Sequence, residues 1–344
     1  MRILNFTDLH LGKKGNSRLH NQDVLDFIAW AMEIGRKEKC THACFLGDWH
    51  DDRTRLDLRT LNYSQRALEL MDKQDYLEKI WFLIGNHDLF YRHNRNVHSV
   101  PHASPLQKIQ VIREPYTEGD MLFLPYLFPE EYDKHLTNTQ AKYVFGHLEL
   151  RGFMVTGSNY KMPTGPDAGR YTGPDFIFSG HFHKRQAKGN VIYIGNGFPM
   201  DFGDAGDIER GVMILDTQKE GNDRIQFINW PDCPQYVRCS LQEVLDRPQE
   251  LLSPKARVRC LMNIPISYEE AIYIKEKMME IYLLREFQLE DPQVEDQQTA
   301  LSDDQLAMQK IKITNMDQVI LEMLEEVSAP GIKNETLQNL YREL

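Results

Sequence analysis

An α/β fold with two facing sheets is the class this sequence predicts, on three observations. In the first 90 residues strand-like and helix-like patterns alternate as βαβαβ, an order that packs helices on the faces of a parallel sheet. Between residues 110 and 230 further apolar runs follow with few helical patterns between them, enough for a second sheet facing the first. Four of the runs pass directly into Gly and then a polar residue of a metal-ligating type, as strands ending at one rim would.

Taken in order, RILNF (2–6) is a short buried strand. Residues 21–38 put Val24, Ile28, Ala31 and Gly35 on one helical face, with Leu25 and Met32 beside it. HACFL (42–46) is the second strand, residues 57–75 with Leu61, Leu68 and Met71 among charges the second helix, and IWFLI (80–84) the third strand. QVI (110–112), MLFLPYL (121–127), KYVF (142–145), DFIFS (175–179), NVIYIG (190–195), GVMILD (211–216) and RIQFINW (224–230) supply the second group. The Gly-, Pro- and Thr-rich stretch 151–174 reads as a long surface loop. Beyond residue 232 the texture changes. VRCLMNI (258–264) reads as a strand and SYEEAIYIKEKMMEIYLL (267–284) as an amphipathic helix, together a small α/β domain over 233–287. Residues 288–305 are polar and acidic, a linker. The tail, 306–344, regains helical periodicity in two stripes, Met316 to Val327 and Leu337 to Leu344, split by Pro330-Gly331.

The 344 residues carry a formal charge of −11, which by itself would argue against a nucleic-acid partner. Its distribution reverses that inference. Residues 1–200 hold 25 Lys+Arg against 23 Asp+Glu, a net of +2, whereas residues 201–344 hold 15 against 28, a net of −13. With 41% apolar residues a sizeable core is expected, which excludes wholesale disorder. No apolar run approaches the roughly 20 residues of a membrane span. Met1 leads straight into a strand-like run, so neither signal peptide nor membrane anchor is expected. Five scattered cysteines without a CxxC pair fit reduced thiols in a cytoplasm.

The chemistry sits in FLGDWHD (45–51), FLIGNHD (82–88), VFGHLE (144–149) and FSGHFH (178–183), with NFTDLH (5–10) as a fifth motif carrying Thr before the acid. Each strand would end at one rim and deliver a polar side chain into a shared crevice. The donors are Asp8, His10, Asp48, Asn86, His147, His181 and His183: two carboxylates, an amide and four imidazoles without a thiolate. Borderline divalent ions such as Mn²⁺, Fe²⁺ or Zn²⁺ suit that mixture. Seven donors exceed the needs of one ion, so two ions sharing a carboxylate are expected, an arrangement suited to displacement at phosphorus. Lys13, Lys14 and Arg18, then Arg53, Arg55 and Arg59, then Arg92 and Arg95 follow successive motifs and would rim the site where phosphates lie. His20, His42, His93, His98, His102 and His135 match no motif and read as surface or core residues; His50 is assigned to neither group, and Asp88 to support or chemistry alike.

The motif order DxH, GDxxD, GNHD, GH, GHxH resembles the calcineurin-like metallophosphoesterases, and most of all their Mre11/SbcD nuclease branch, including the nuclease subunits of tailed-phage recombination endonucleases. The resemblance covers roughly residues 1–232. It implies a four-layer αββα sandwich, followed by a capping domain that binds DNA and helices that dock on a Rad50/SbcC-type ATPase. It implies that Asp8, His10, Asp48 and His183 hold one ion, and that the bridging Asp48 with Asn86, His147 and His181 holds the other. His87 matches the general acid or phosphate-contacting histidine, and Asp51 the acid that orients it. The function implied is a Mn²⁺-dependent (or Mg²⁺-dependent) DNA nuclease, a 3′→5′ exonuclease on double strands and an endonuclease on single strands, in recombination, repair and replication. A homodimer formed near residues 57–105 within a heterotetramer, in the cytoplasm (the host's, for a phage protein), is implied as well. The absence of DRG from GDWHDDR counts against phosphoprotein hydrolysis. The rival readings are a small-molecule phosphodiesterase or phosphatase on the same fold, and a weakly catalytic scaffold.

Overall fold

The structure is a computed structural model that describes residues 1–155 and 160–290. The tail expected over 306–344 and nearly all of the acidic linker therefore lie outside the described residues.

The chain opens with four parallel strands, β1 (Arg2–Phe6), β2 (His42–Phe45), β3 (Lys79–Leu83) and β4 (Ile109–Ile112). Helices Arg18–Lys37 and Leu58–Asp72 make the first two crossovers. Side chains alternate across these strands as the pleat requires. Leu4, Phe6, Ile80 and Phe82 enter the core shared with the helices, whereas Ile3, Trp81 and Leu83 enter a second core on the opposite face.

That second core lies between two sheets. The chain leaves the first sheet through β5 (Tyr116–Glu118), β6 (Met121–Leu124), β7 (Tyr143–His147), β8 (Phe176–Gly180), β9 (Gln186–Lys188) and β10 (Val191–Tyr193), ordered 5-6-7-8-10-9 in space. It returns with β11 (Gly211–Asp216), antiparallel to β1, and β12 (Ile225–Asn229) at the edge, giving the order 12-11-1-2-3-4. The first sheet is thus mixed rather than wholly parallel. Trp81, Phe123, Phe145 and Phe178 stack in succession between the sheets, with ring centroids 4.7, 5.2 and 5.6 Å apart.

The outer face of the second sheet is covered by the short helix Tyr132–Leu136 and by much of the stretch read as a surface loop. Phe153, Ala168 and Tyr171 of that stretch are buried against Ile177 and Tyr193. The fold is therefore the αββα sandwich, with a fourth layer made mostly of packed irregular chain. A closed hydrophobic face needs a cover, and apolar side chains spaced along a loop serve as well as a helix.

A third, smaller sheet follows: β13 (Tyr236–Ser240), β14 (Arg257–Leu261) and β15 (Glu286–Glu290), all parallel, with helix Tyr268–Tyr282 as a crossover. Ser267 and Glu270 form a capping box at the start of that helix. Since β15 reaches Glu290, the stretch read as linker from 288 begins inside a strand. Arg285 pairs with the buried Asp23 at 2.6 Å, Lys255 lies 3.8 Å from Asp26, and Lys14 donates to the Tyr236 hydroxyl, so polar contacts tie this part of the chain to the first crossover helix and the residues just before it. Among the described residues no helix is long and apolar enough to cross a membrane.

Candidate metal centre

Because β1, β2 and β3 run parallel in one sheet and β7 and β8 in the other, their carboxyl ends reach one rim. There the chain adopts backbone that L-residues rarely take. Asp8, His10, Asp48 and His181 all have positive φ, 53°, 46°, 61° and 86°, each a cost of roughly 1–3 kcal/mol that surrounding contacts must offset. The loops meet that cost by locking one another. Asp8 N–H donates to the Gly47 carbonyl at 3.0 Å, Leu9 N–H to the Asp48 carbonyl at 3.0 Å, and His181 N–H to the Asp8 carboxylate at 3.1 Å. Two glycines permit this approach. Gly47 has φ 99°, and a Cβ on Gly85 would lie 2.2 Å from Asp48 Oδ1.

Six of the seven donors expected from the motifs fall into three overlapping groups, and Asn86 joins them through His147 and His181. Asp8, His10 and His183 form one; Asp48, His147 and His181 another; and His10, Asp48 and His87 join them, each with ligand atoms within 4.8 Å of one another. Asp48 is shared: its Oδ2 lies 3.3 Å from His147 Nε2 and 3.7 Å from His10 Nε2. Asn86 Oδ1 lies 3.0 Å from His147 Nε2 and 3.0 Å from His181 Nδ1. His183 Nε2 lies 3.2 Å from His10 Nε2 and 3.9 Å from Asp8 Oδ1.

Three of the four donor rings, all but His183, are turned by a partner on the far nitrogen, which fixes the tautomer that presents a lone pair inward. His147 Nδ1 donates to the Leu46 carbonyl at 2.7 Å, and His181 Nε2 lies 3.5 Å from Glu149. His10 Nδ1 lies 3.1 Å from the Asp51 carboxylate, itself 3.7 Å from Lys13. Although burial opposes charging it, the nearby Asp48 carboxylate pushes His147 up to about 9. Burial raises the pKa of Asp8, and Asp48 adds to the rise. Two buried carboxylates facing four imidazoles is a donor set that divalent cations fit, since they would relieve the repulsion between the carboxylates.

Asp51 corrects one expectation. Its carboxylate reaches His10; His87 is instead oriented through its Nδ1, which bonds the Asp51 main-chain carbonyl at 2.7 Å. The His87 main-chain N–H donates to Asp48 Oδ1 at 2.8 Å, and its ring lies 4.8 Å from the His10 ring.

His50 and Asp88 acquire definite places. His50 turns away from the donors to Ser99 at 2.8 Å and Ser64 at 3.1 Å, and burial drops its pKa to about 3, keeping it neutral. Asp88 is fully buried and accepts main-chain N–H bonds from Asp48, Trp49, His50 and Gly85 at 2.9–3.2 Å. It clamps the β2 and β3 loops together. Burial, then the charge of Asp48, pushes its pKa up to about 6.

Three supports carry no assigned role in the sequence reading. His20 Nε2 sits 3.1 and 2.9 Å from the Leu9 and His10 carbonyls. The buried Arg210 donates to the His183 carbonyl at 2.5 Å while pairing with Asp204 and Asp207 at 3.1 and 2.9 Å. Glu149 was visible in VFGHLE, but Arg210 has no local signal beyond a cation preceding a strand. The expected basic rim is also thinned. Arg95 is buried on Glu131 and the Tyr126 carbonyl, while Arg18, Arg55, Arg59 and Arg92 remain exposed.

Fold and site together define a phosphoester hydrolase built on two sheets with a paired-metal rim. The chain belongs to the calcineurin-like phosphoesterases, whose family model matches residues 1–185, and the centre of this family is dinuclear. It is 28% identical over 236 residues to exonuclease subunit 1 of Enterobacteria phage T4, covering 66% of this chain and 67% of that one. Among solved structures it is similar to the nuclease MPE of Pseudomonas putida, at 18% identity and TM-score 0.29, over 55% of this chain and 66% of the other. A dimetal phosphatase from Danio rerio is similar at 12% identity and TM-score 0.35, over 62% of this chain and 91% of the other.

Proposed function

We propose that the chain is a two-metal DNA nuclease, cleaving phosphodiesters 3′→5′ from double-stranded ends and internally in single strands. The observation that carries this reading is the shared Asp48 with the six other donors and His87 around it, in a chain akin to a phage exonuclease subunit. Asp8, His10, Asp48 and His183 would hold one divalent ion, and Asp48, Asn86, His147 and His181 the other. When bound, the ions supply an activated water and neutralise phosphoryl oxygens. Mn²⁺ suits donors of imidazole, carboxylate and amide without thiolate, with Mg²⁺ as a substitute.

His87 is assigned the proton at the leaving oxygen. Its Nδ1 is committed to the Asp51 carbonyl, which leaves Nε2 for substrate. Burial lowers the pKa of this ring, and Asp48 opposes the drop. An arriving phosphodiester adds negative charge beside the ring and favours the protonated form that can donate. Arg18, Arg55, Arg59 and Arg92, exposed after the ligand turns, support contact with a phosphate backbone. The amphipathic stripes of 306–344 support docking on a Rad50/SbcC-like ATPase, in a heterotetramer containing two copies of this chain, serving recombination, repair and replication in the cytoplasm.

The test is His87→Ala. Bound metal should stay at two ions per chain while Mn²⁺-dependent cleavage of a DNA duplex falls at least a hundredfold; undiminished cleavage rejects the assignment. Assaying a cyclic nucleotide alongside the duplex separates a nuclease from a small-molecule phosphodiesterase.

A further inference from the structure

A cavity of about 350 Å³ opens beside the donor cluster, and the mechanism above leaves it unused. Its walls include Tyr126, Tyr132, Asp133, Glu149, Thr164 and Arg170. It shares a wall with the centre: Glu149 lies 3.5 Å from His181 Nε2, and the Tyr126 ring centroid is 6.2 Å from that of His181 and 6.4 Å from that of His147. The volume falls at the small end of ligand sites, which span roughly 300–1,000 Å³.

The lining discriminates between the parts of a nucleotide. Arg170 is the only cation among the described lining residues, and it is already paired with Asp133 at 2.7 Å. Two carboxylates beside it would repel a second phosphate. They would accept hydrogen bonds from a sugar hydroxyl or a base amino group. The half-buried Tyr126 offers an aromatic face, and every base has a face to stack on it.

We propose that this cavity is a nucleoside subsite, taking the base and sugar of the nucleotide whose phosphodiester lies at the donor cluster. The proposal rests on the nuclease reading and sharpens its substrate class. A base inside a duplex is stacked and paired, so filling the cavity demands a nucleotide that is unpaired or flipped. Frayed ends and single strands are then the preferred substrates, and a clamped G·C end is cut more slowly.

The experiment uses the full chain with Mn²⁺ and two chromogenic diesters, thymidine 5′-(p-nitrophenyl phosphate) and bis(p-nitrophenyl) phosphate. The wild type should favour the nucleoside ester in kcat/KM. Pro129→Trp, on an exposed position of the lining, fills the cavity, and Tyr126→Ala removes the stacking face. Each should lower the ratio of the two kcat/KM values on the order of tenfold, mostly through KM for the nucleoside ester. An unchanged ratio in folded Pro129→Trp overturns the subsite, as does an equal loss on both esters in the two variants. A wild type that prefers the nucleoside ester yet leaves DNA uncut keeps the subsite and rejects the nuclease reading. A wild type that cuts DNA without preferring the nucleoside ester does the reverse.

Discussion

In the half of the donor cluster around Asn86, both rings meet fixed acceptors: His147 bonds a main-chain carbonyl, and His181 meets Glu149, which Thr164 holds at 3.1 Å. In the half around Asp8, His10 depends on the side chain of Asp51, and the His183 ring meets only His10 and Asp8 among the contacts of its ring nitrogens. His183 is positioned from behind instead, through its carbonyl on Arg210. One half is built into the strands, the other into a network of ionisable side chains. The first should hold its ion with the more rigid geometry, and the second should respond to substitutions several residues away.

The sharpest way to break this contrast is Asp48→Ala. Asp48 belongs to both halves, so both ions should be lost and cleavage should fall on the order of a thousandfold or more, read by metal analysis and turnover. One ion retained at full affinity would show that the carboxylate is not shared. Next comes Asp88→Ala, which leaves four main-chain donors at the β2 and β3 loops without their acceptor. Thermal or urea unfolding should register a loss of about 3 kcal/mol or more, with Asp88→Asn intermediate.

A smaller and more selective pair follows. Asp51→Asn should weaken one ion about 10- to 100-fold in a Mn²⁺ titration, because His10 loses the charge that turns its ring. Glu149→Gln should weaken the other ion less, since the Leu46 carbonyl still fixes His147. Equal effects on both ions from either variant would dissolve the distinction between the halves. The smallest effect is assigned to His50→Gln, which should cost about 1 kcal/mol of stability and leave both ions in place. A loss of metal there would return His50 to the centre.

The strands that the sequence revealed are those with uninterrupted apolar runs, and their ends fall within a residue or two of RILNF, HACFL or GVMILD. Four were not legible: Tyr116–Glu118, Gln186–Lys188, Tyr236–Ser240 and Glu286–Glu290. Each lies at the edge of its sheet, where one face or both meet water and an apolar pattern is not required. The stretch 151–174 failed for the converse reason. Phe153 and Tyr171 are too sparse to signal an element, yet the second sheet needs them as its cover.

The sequence by itself brought out the candidate donors and their order, because each lies within four residues of a strand end, and strands and glycine turns are local features. It also located the acidity away from those motifs. Only the tertiary structure decided that the Asp51 carboxylate turns His10 while its main chain turns His87, that Arg95 leaves the rim for Glu131, and that Tyr126 and Glu149 wall a cavity beside His181. These are contacts between loops from different strands, at backbone angles that strand periodicity does not describe. Their outcome depends on which carbonyl or carboxylate the other sheet brings within about 3 Å, and no spacing along one chain segment encodes that.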